Sequence, residues 1–275
     1  MYSNFIKKEI IVNSMKMTYY EKGQGDVTCI FSCGWAVPFP LADMFELADI
    51  LSTQCRCIVF DRFGYGFSES YDGKRSFSAI TQETKMLCDR LNIFGNVVFV
   101  GHSLSTFHAL DLTKCYPEMI KGLVLIDSYN FDSKIGRLSF NINWIIAYYC
   151  LFLKKLGIIE KMKDSKLKKV LFGQRLIPED MAIDALLVTR KRLYNKTVRN
   201  ELKCAINDLK FLYKDLNKLE NTPVVAICRD TTFGNNCKLV NYIQNISIIN
   251  VGKSSHFIHH RYPAKIAEQI SKLCI

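Results

Sequence analysis

The chain alternates between two hydrophobic rhythms. From residue 9 to 130, apolar runs of strand length (EIIVN, KMTYYEKG, DVTCIFSCG, RCIVFD, NVVFVGHS and KGLVLIDS) are separated by turns and by stretches with helical period. After residue 220 the rhythm returns in TPVVAICRD and SIINVGK and closes in a helix over 263–274. The later runs are continuously apolar, as strands covered by helices on both faces are. Strand, helix, strand at this spacing predicts an α/β fold with a doubly wound, mostly parallel sheet. The opening runs are more amphipathic and lie close together, which predicts an antiparallel edge.

Residues 131–220 break the alternation. Helical period over 141–157, 179–193 and 198–219, with few Gly and many Lys and Leu, predicts a helical insertion between two strands of the sheet. The expected division is therefore a core of 1–130 and 221–275 with an inserted domain over 131–220. Within the insertion, WIIAYYCLFL (144–153) carries no charge and is closed by Lys154 and Lys155. Crossing a bilayer takes ~20 such residues. This stretch is read first as a buried or pocket-lining helix and second as a contact with a membrane interface.

Composition changes this picture little. A chain of 275 residues suits one large domain, or one domain with an insertion, and 49% hydrophobic with 23% charged residues is ordinary for a globular protein. The net charge of +11 is unevenly placed: residues 131–220 hold 19 Lys and Arg against 10 Asp and Glu. No basic–aromatic motif or Gly-rich loop accompanies this excess, so no nucleic acid is expected. Solvated basic helix faces are the plain reading, and weak contact with an anionic membrane surface or an acidic substrate is the other. The start, MYSNFIKKEIIVN, lacks the apolar core of a secretory signal. With eleven cysteines, this predicts reduced thiols in a cytoplasm. Cys55 and Cys57, the one close pair, sit in CRCIVF, an apparent strand where neighbouring side chains face opposite ways. They suggest neither a metal site nor a disulfide, and no cofactor is expected.

The candidate chemistry centres on Gly101-His102-Ser103-Leu104-Ser105, which ends one apolar strand and opens the helical pattern TFHALDLTKCYP. A strand-to-helix turn of this kind is a nucleophile elbow, which lifts a Ser side chain out of the sheet edge. Here Ser105 stands where the pattern has Gly. Upstream, Phe31-Ser32-Cys33-Gly34-Trp35 ends another strand in a Gly turn. Backbone N–H groups at Gly34 or Trp35 could meet that of Leu104 in an oxyanion hole. Near the end, Gly252-Lys253-Ser254-Ser255-His256-Phe257 places a His in a loop after the last strand.

In order along the chain, the Cys33-Gly34-Trp35 turn, DRFGYGFS, the GHSLS elbow, the insertion after GLVLIDS and the SHFIHHRYP tail resemble the α/β-hydrolase superfamily over nearly the whole length. The resemblance implies Ser103 as nucleophile, His256 as its base and the insertion as a cap over the site. His256 is preferred to His259 and His260, which lie beyond it, and His102 and His108 are read as packing residues. For the acid that orients the imidazole, the resemblance points to Asp230, after the strand PVVAIC. It stands in Cys228-Arg229-Asp230-Thr231-Thr232, where the family more often has an HGxxD-like turn. Asp127, ending GLVLID, is the rival. Asp61 and Arg62 are read as holding loops.

A Ser nucleophile argues against dehalogenase relatives, for which the resemblance would require Asp. The implied reaction is acyl transfer to Ser103 and hydrolysis of a small, lipophilic ester or related acyl bond. An aminopeptidase-like enzyme, a C–C bond hydrolase or a non-catalytic binding protein on the same scaffold are the alternatives.

Overall fold

A computed structural model describes residues 2–128, 134–212, 216–219 and 221–275. Eight strands form one sheet: β1 (Ile6–Val12), β2 (Met15–Lys22), β3 (Thr28–Ser32), β4 (Arg56–Phe60), β5 (Val97–His102), β6 (Ile120–Ile126), β7 (Val224–Cys228) and β8 (Ile246–Asn250). Their order is β1-β2-β4-β3-β5-β6-β7-β8. β1 and β2 pair antiparallel, as do β2 and β4, and every pair from β4 onward is parallel. The predicted antiparallel edge is thus the β1–β2 hairpin with its junction to β4.

The middle strands are apolar throughout because both faces are covered. β3 and β5 are buried at every position. The helices are α1 (Pro40–Leu51), α2 (Phe77–Arg90), α3 (Ser105–Cys115), α4 (Lys134–Lys155), α5 (Asp164–Phe172), α6 (Glu179–Arg192), α7 (Lys196–Leu212), α8 (Asp230–Asn236), α9 (Ile258–Arg261) and α10 (Pro263–Cys274). α2 and α3 cover one face of the sheet with Phe77, Leu87, Phe107 and Leu110 in that core layer. α1 and α10 cover the other with Leu41, Met44, Leu47, Ile266 and Ile270.

Helices α4 to α7 lie between β6 and β7 in the chain. The short α5 had no separate signal in the sequence pattern. The stretch 144–153 corrects an expectation. Instead of being buried, Ile145, Tyr148, Tyr149 and Phe152 are exposed, and among the described side chains of this stretch only Ala147 is fully covered. The cysteines correct another. Cys55 and Cys57 are two positions apart and therefore share a face, where they meet Cys29 and Cys274. The Cys55 and Cys274 thiols donate to Leu51 O and Ile270 O. The sulfurs of Cys29, Cys55 and Cys274 lie within 4.8 Å of one another.

Candidate active site

The carboxyl ends of the parallel strands face one edge, and the sequence breaks into tight turns there. Ser103 follows β5 with φ of +55°, the left-handed region that costs an L-residue ~1–2 kcal/mol. The turn is enforced by close approach. A Cβ on Gly101 would lie 2.7 Å from Ser105 O, and a Cβ on Gly34 would lie 3.1 Å from both Ser103 Cβ and His102 Nδ1. Ser105 strengthens the turn. Its buried Oγ donates to Ser32 O at 2.5 Å and accepts from His102 N at 2.9 Å, tying the ends of β3 and β5 together. A Gly there could make neither bond.

His256 Nε2 stands 2.8 Å from Ser103 Oγ, and its Nδ1 stands 2.6 Å from Asp127 Oδ2. The carboxylate on His256 is therefore Asp127. The preference for Asp230 is corrected by this placement. Asp230 begins α8, is exposed, and accepts from Asn250 Nδ2 at 2.9 Å. β6 and β7 are in-register neighbours, Ile126 against Ile227, so both acids leave the same sheet edge. Asp127, at φ +43°, turns inward, whereas Asp230 is carried outward on its helix.

The Cys228-Arg229-Asp230-Thr231-Thr232 stretch serves the site in another way. Arg229 Nε donates to Asp127 Oδ2 at 2.8 Å, and Thr232 Oγ1 donates to Oδ1. Burial alone would raise the Asp127 carboxyl, but bonds from His256, Thr232 and Arg229 outweigh it and hold it below its ordinary range. The Asp127 side chain is fully buried, and both oxygens are occupied.

Beneath His256 lies a second carboxylate–imidazole cluster. His102 Nε2 meets His256 O at 3.2 Å. Asp43, from α1, takes His259 Nε2 at 3.1 Å and His260 Nε2 at 2.9 Å on one oxygen, and its other oxygen, without a hydrogen bond among the described residues, faces His102 Nδ1 at 3.9 Å. Burial would raise Asp43, yet interaction with His259 and His260 keeps it well below the usual carboxylate range. Burial holds the His102 and His259 imidazoles below their ordinary range. Sequence reasoning missed this cluster, whose members are 216 residues apart in the chain.

Gly34, Trp35 and Leu104 all adjoin Ser103. Trp35 and Leu104 line a cavity of about 530 Å³ with Ser103 and His256 at its floor. Their backbone N–H groups donate to no acceptor among the described residues, as free oxyanion donors would. The cavity wall is mostly apolar, with Val37, Phe39, Leu104, Phe172 and Leu202 among its residues. Arg62, buried, fixes the Cys33-Gly34-Trp35 loop from below through Ser32 Oγ and Cys33 O, both at 2.8 Å, and reaches α7 through Glu201 at 2.9 Å. Trp35 Nε1 also reaches α7, donating to Val198 O at 2.8 Å. Asp61 accepts from Phe67 N at 2.9 Å and Tyr20 Oη at 3.2 Å. Both residues hold loops.

Residues 38–144 match the family model for the alpha/beta hydrolase fold. The chain has the α/β-hydrolase fold. Its architecture is similar to that of epoxide hydrolase CorEH, with a TM-score of 0.76 and 16% identity over 98% of both chains. It is also similar to epoxide hydrolase VrEH1 from Vigna radiata, with a TM-score of 0.74 and 17% identity over 98% of this chain and 97% of that one. A loop variant of haloalkane dehalogenase DbeA from Bradyrhizobium elkanii gives a TM-score of 0.70 and 17% identity over 98% and 97%. In sequence, 116 residues are 28% identical to the uncharacterized protein YbdG of Bacillus subtilis (strain 168). That alignment spans 42% of this chain and 36% of that protein.

Proposed function

We propose that this α/β-hydrolase-fold protein is a serine hydrolase that cleaves a small, lipophilic ester or related acyl bond through an acyl-enzyme. The observation that carries the reading is the continuous contact from Asp127 through His256 to Ser103 Oγ. A serine hydroxyl is a poor nucleophile until a base removes its proton, and an imidazole serves best when a carboxylate fixes its tautomer and stabilises its cation.

The chemistry then runs in two halves. His256 Nε2 takes the Ser103 proton as Oγ attacks the substrate carbonyl, and the N–H groups of Trp35 and Leu104 receive the oxyanion. The carbon–oxygen bond to the leaving group breaks, and His256 returns the proton to that alkoxide. Water, deprotonated by the same nitrogen, attacks the acyl-enzyme, and the second collapse frees the acid and restores Ser103. Asp127 keeps the Nδ1 proton in place throughout and remains an anion. The apolar wall of the cavity supports a lipophilic acyl group. Helices α4 to α7 are read as a cap, tied to the core through Arg62–Glu201 and Trp35–Val198.

Hydrolysis of p-nitrophenyl acetate and butyrate tests the reading, together with labelling by a fluorophosphonate. Wild type should turn over at least one ester and take one label, which Ser103→Ala should lose. A folded wild type that neither turns over nor labels would remove the serine hydrolase reading and leave a binding protein.

A further inference from the structure

Of the 21 large hydrophobic side chains exposed on the described surface, eleven fall between Ile145 and Leu187. Five of them make a stripe. Ile145, Tyr148, Tyr149, Phe152 and Leu156 are exposed by 54% to 70% and sit at i, i+3, i+4, i+7 and i+11. At about 100° per residue these positions fall within an arc of roughly 100°, along about 17 Å of helix. Ala147, on the opposite side of α4, is fully buried. The helix thus turns one apolar edge toward the protein and another toward solvent.

The chain that follows is basic. Lys155, Lys161, Lys163, Lys166 and Lys169 are exposed and have no carboxylate partner among the described residues. Val170 and Leu176 stand out nearby, exposed by 70% and 93%. Val170 also lines the cavity that holds Ser103.

We infer that this face docks on an anionic lipid surface, with the stripe lying in the interface and the lysines against the headgroups. An amphipathic helix with aromatic and aliphatic residues on one side, followed in the chain by unpaired lysines, has the composition of an interfacial segment. Among the described residues no helix is long and apolar enough to cross a membrane, so the face lies on the bilayer. The excess charge of the insertion supplies the attraction, and the stripe supplies the apolar area. Docking itself does not depend on the chemistry at Ser103.

Cosedimentation of the full chain with vesicles tests it. In 50 mM salt the protein should bind phosphatidylcholine vesicles containing 30 mol% phosphatidylglycerol at least tenfold more strongly than pure phosphatidylcholine. That preference should collapse in 0.5 M salt, where surface charges are screened. Tyr149→Ser with Phe152→Ser should weaken binding about tenfold, and Lys155→Glu with Lys163→Glu by a similar factor. None of the four residues touches the site. Absence of binding by wild type to the anionic vesicles, or equal binding to both compositions, would overturn the inference. A stable dimer by light scattering that Phe152→Ser dissociates would also overturn it, because the stripe would then belong to a second copy of the chain.

Discussion

Two carboxylates under the same sheet edge hold histidines and do different things with them. Asp127 spreads its load: His256 and Arg229 share one oxygen, and Thr232 takes the other. Its imidazole points on to Ser103 at the floor of the cavity. Asp43 puts two histidines on one oxygen, leaves the other without a hydrogen bond against His102 at 3.9 Å, and ends among packed rings. Both carboxyls are kept low by those histidines. The pair alone therefore does not mark out a candidate site. The difference lies in what the far nitrogen of the imidazole can reach, and in backbone donors left free beside it.

The sharpest way to break this comparison is through activity. Ser103→Ala and His256→Ala should lower ester hydrolysis by about 10³-fold or more, and Asp127→Asn by about 10³–10⁴-fold, because an amide leaves the imidazole in the wrong tautomer. Asp230→Asn, with its side chain on Asn250, should stay within about twofold. Asp43→Asn should cost less than about tenfold if the second cluster only positions the His256 loop. A loss in Asp43→Asn as large as that in Asp127→Asn, at unchanged folding, would make the two clusters one catalytic unit.

A third carboxylate shows what the other two would be without their histidines. Asp61 is fully buried, has one oxygen without a partner, and faces a tyrosine and a backbone N–H. Burial pushes its carboxyl up to about 7 from an ordinary 3.8. The folded state then binds this proton more tightly than the unfolded one. The contribution is complete below about pH 4 and is lost as pH rises to 7, about 4 kcal/mol in all. About 3 kcal/mol of it falls between pH 5 and pH 8. Urea unfolding at those two values should show that loss in wild type and a smaller one in Asp61→Asn. An unchanged slope would mean that Asp61 is ionised at pH 5.

Asp43 has the opposite sign. A carboxyl depressed on folding stabilises above about pH 4, and that stability is lost as pH falls through the lower, folded value. Asp43→Ala, which strands the ring N–H of buried His259 and of half-buried His260, should cost about 3 kcal/mol at pH 7. Its acid-unfolding curve should be flatter than that of wild type below pH 4. Equal acid limbs would show that His259 and His260 are held by something other than the carboxylate.

How much of this was legible in the sequence follows from how local each signal is. Ser103 and His256 were readable because an elbow and a loop after a strand are written in consecutive residues, and the parallel sheet was readable from continuous apolar runs. The partner of His256 was not, because Asp127 and Asp230 leave neighbouring strands at the same edge. Distance along the chain cannot say which one turns inward. The Asp43 cluster was invisible for the same reason, since it joins α1 to α9 across most of the chain. Helix α4 misled in a different way. Its uncharged run reads as a buried or pocket-lining helix, but apolar character records only that a surface avoids water, not which surface covers it.

The smallest effect tests the turn that both centres depend on. Ser105 Oγ bonds the end of β3 through Ser32 O and receives His102 N, so it lies between the Asp127 and Asp43 clusters. Ser105→Ala leaves a buried carbonyl and a buried N–H without partners, a cost of about 1–2 kcal/mol, or a fall in Tm of about 2–6 °C for a chain of this size. Ser105→Gly should cost at least as much, since it also adds backbone freedom at the first residue of α3. Activity in both variants should stay within about tenfold of wild type, because Ser103 is still held by its contact with Gly34 and by the close approach at Gly101. A loss of 10²-fold without a change in Tm would place the Ser105 hydroxyl in the chemistry itself, and the elbow would then carry two working serines.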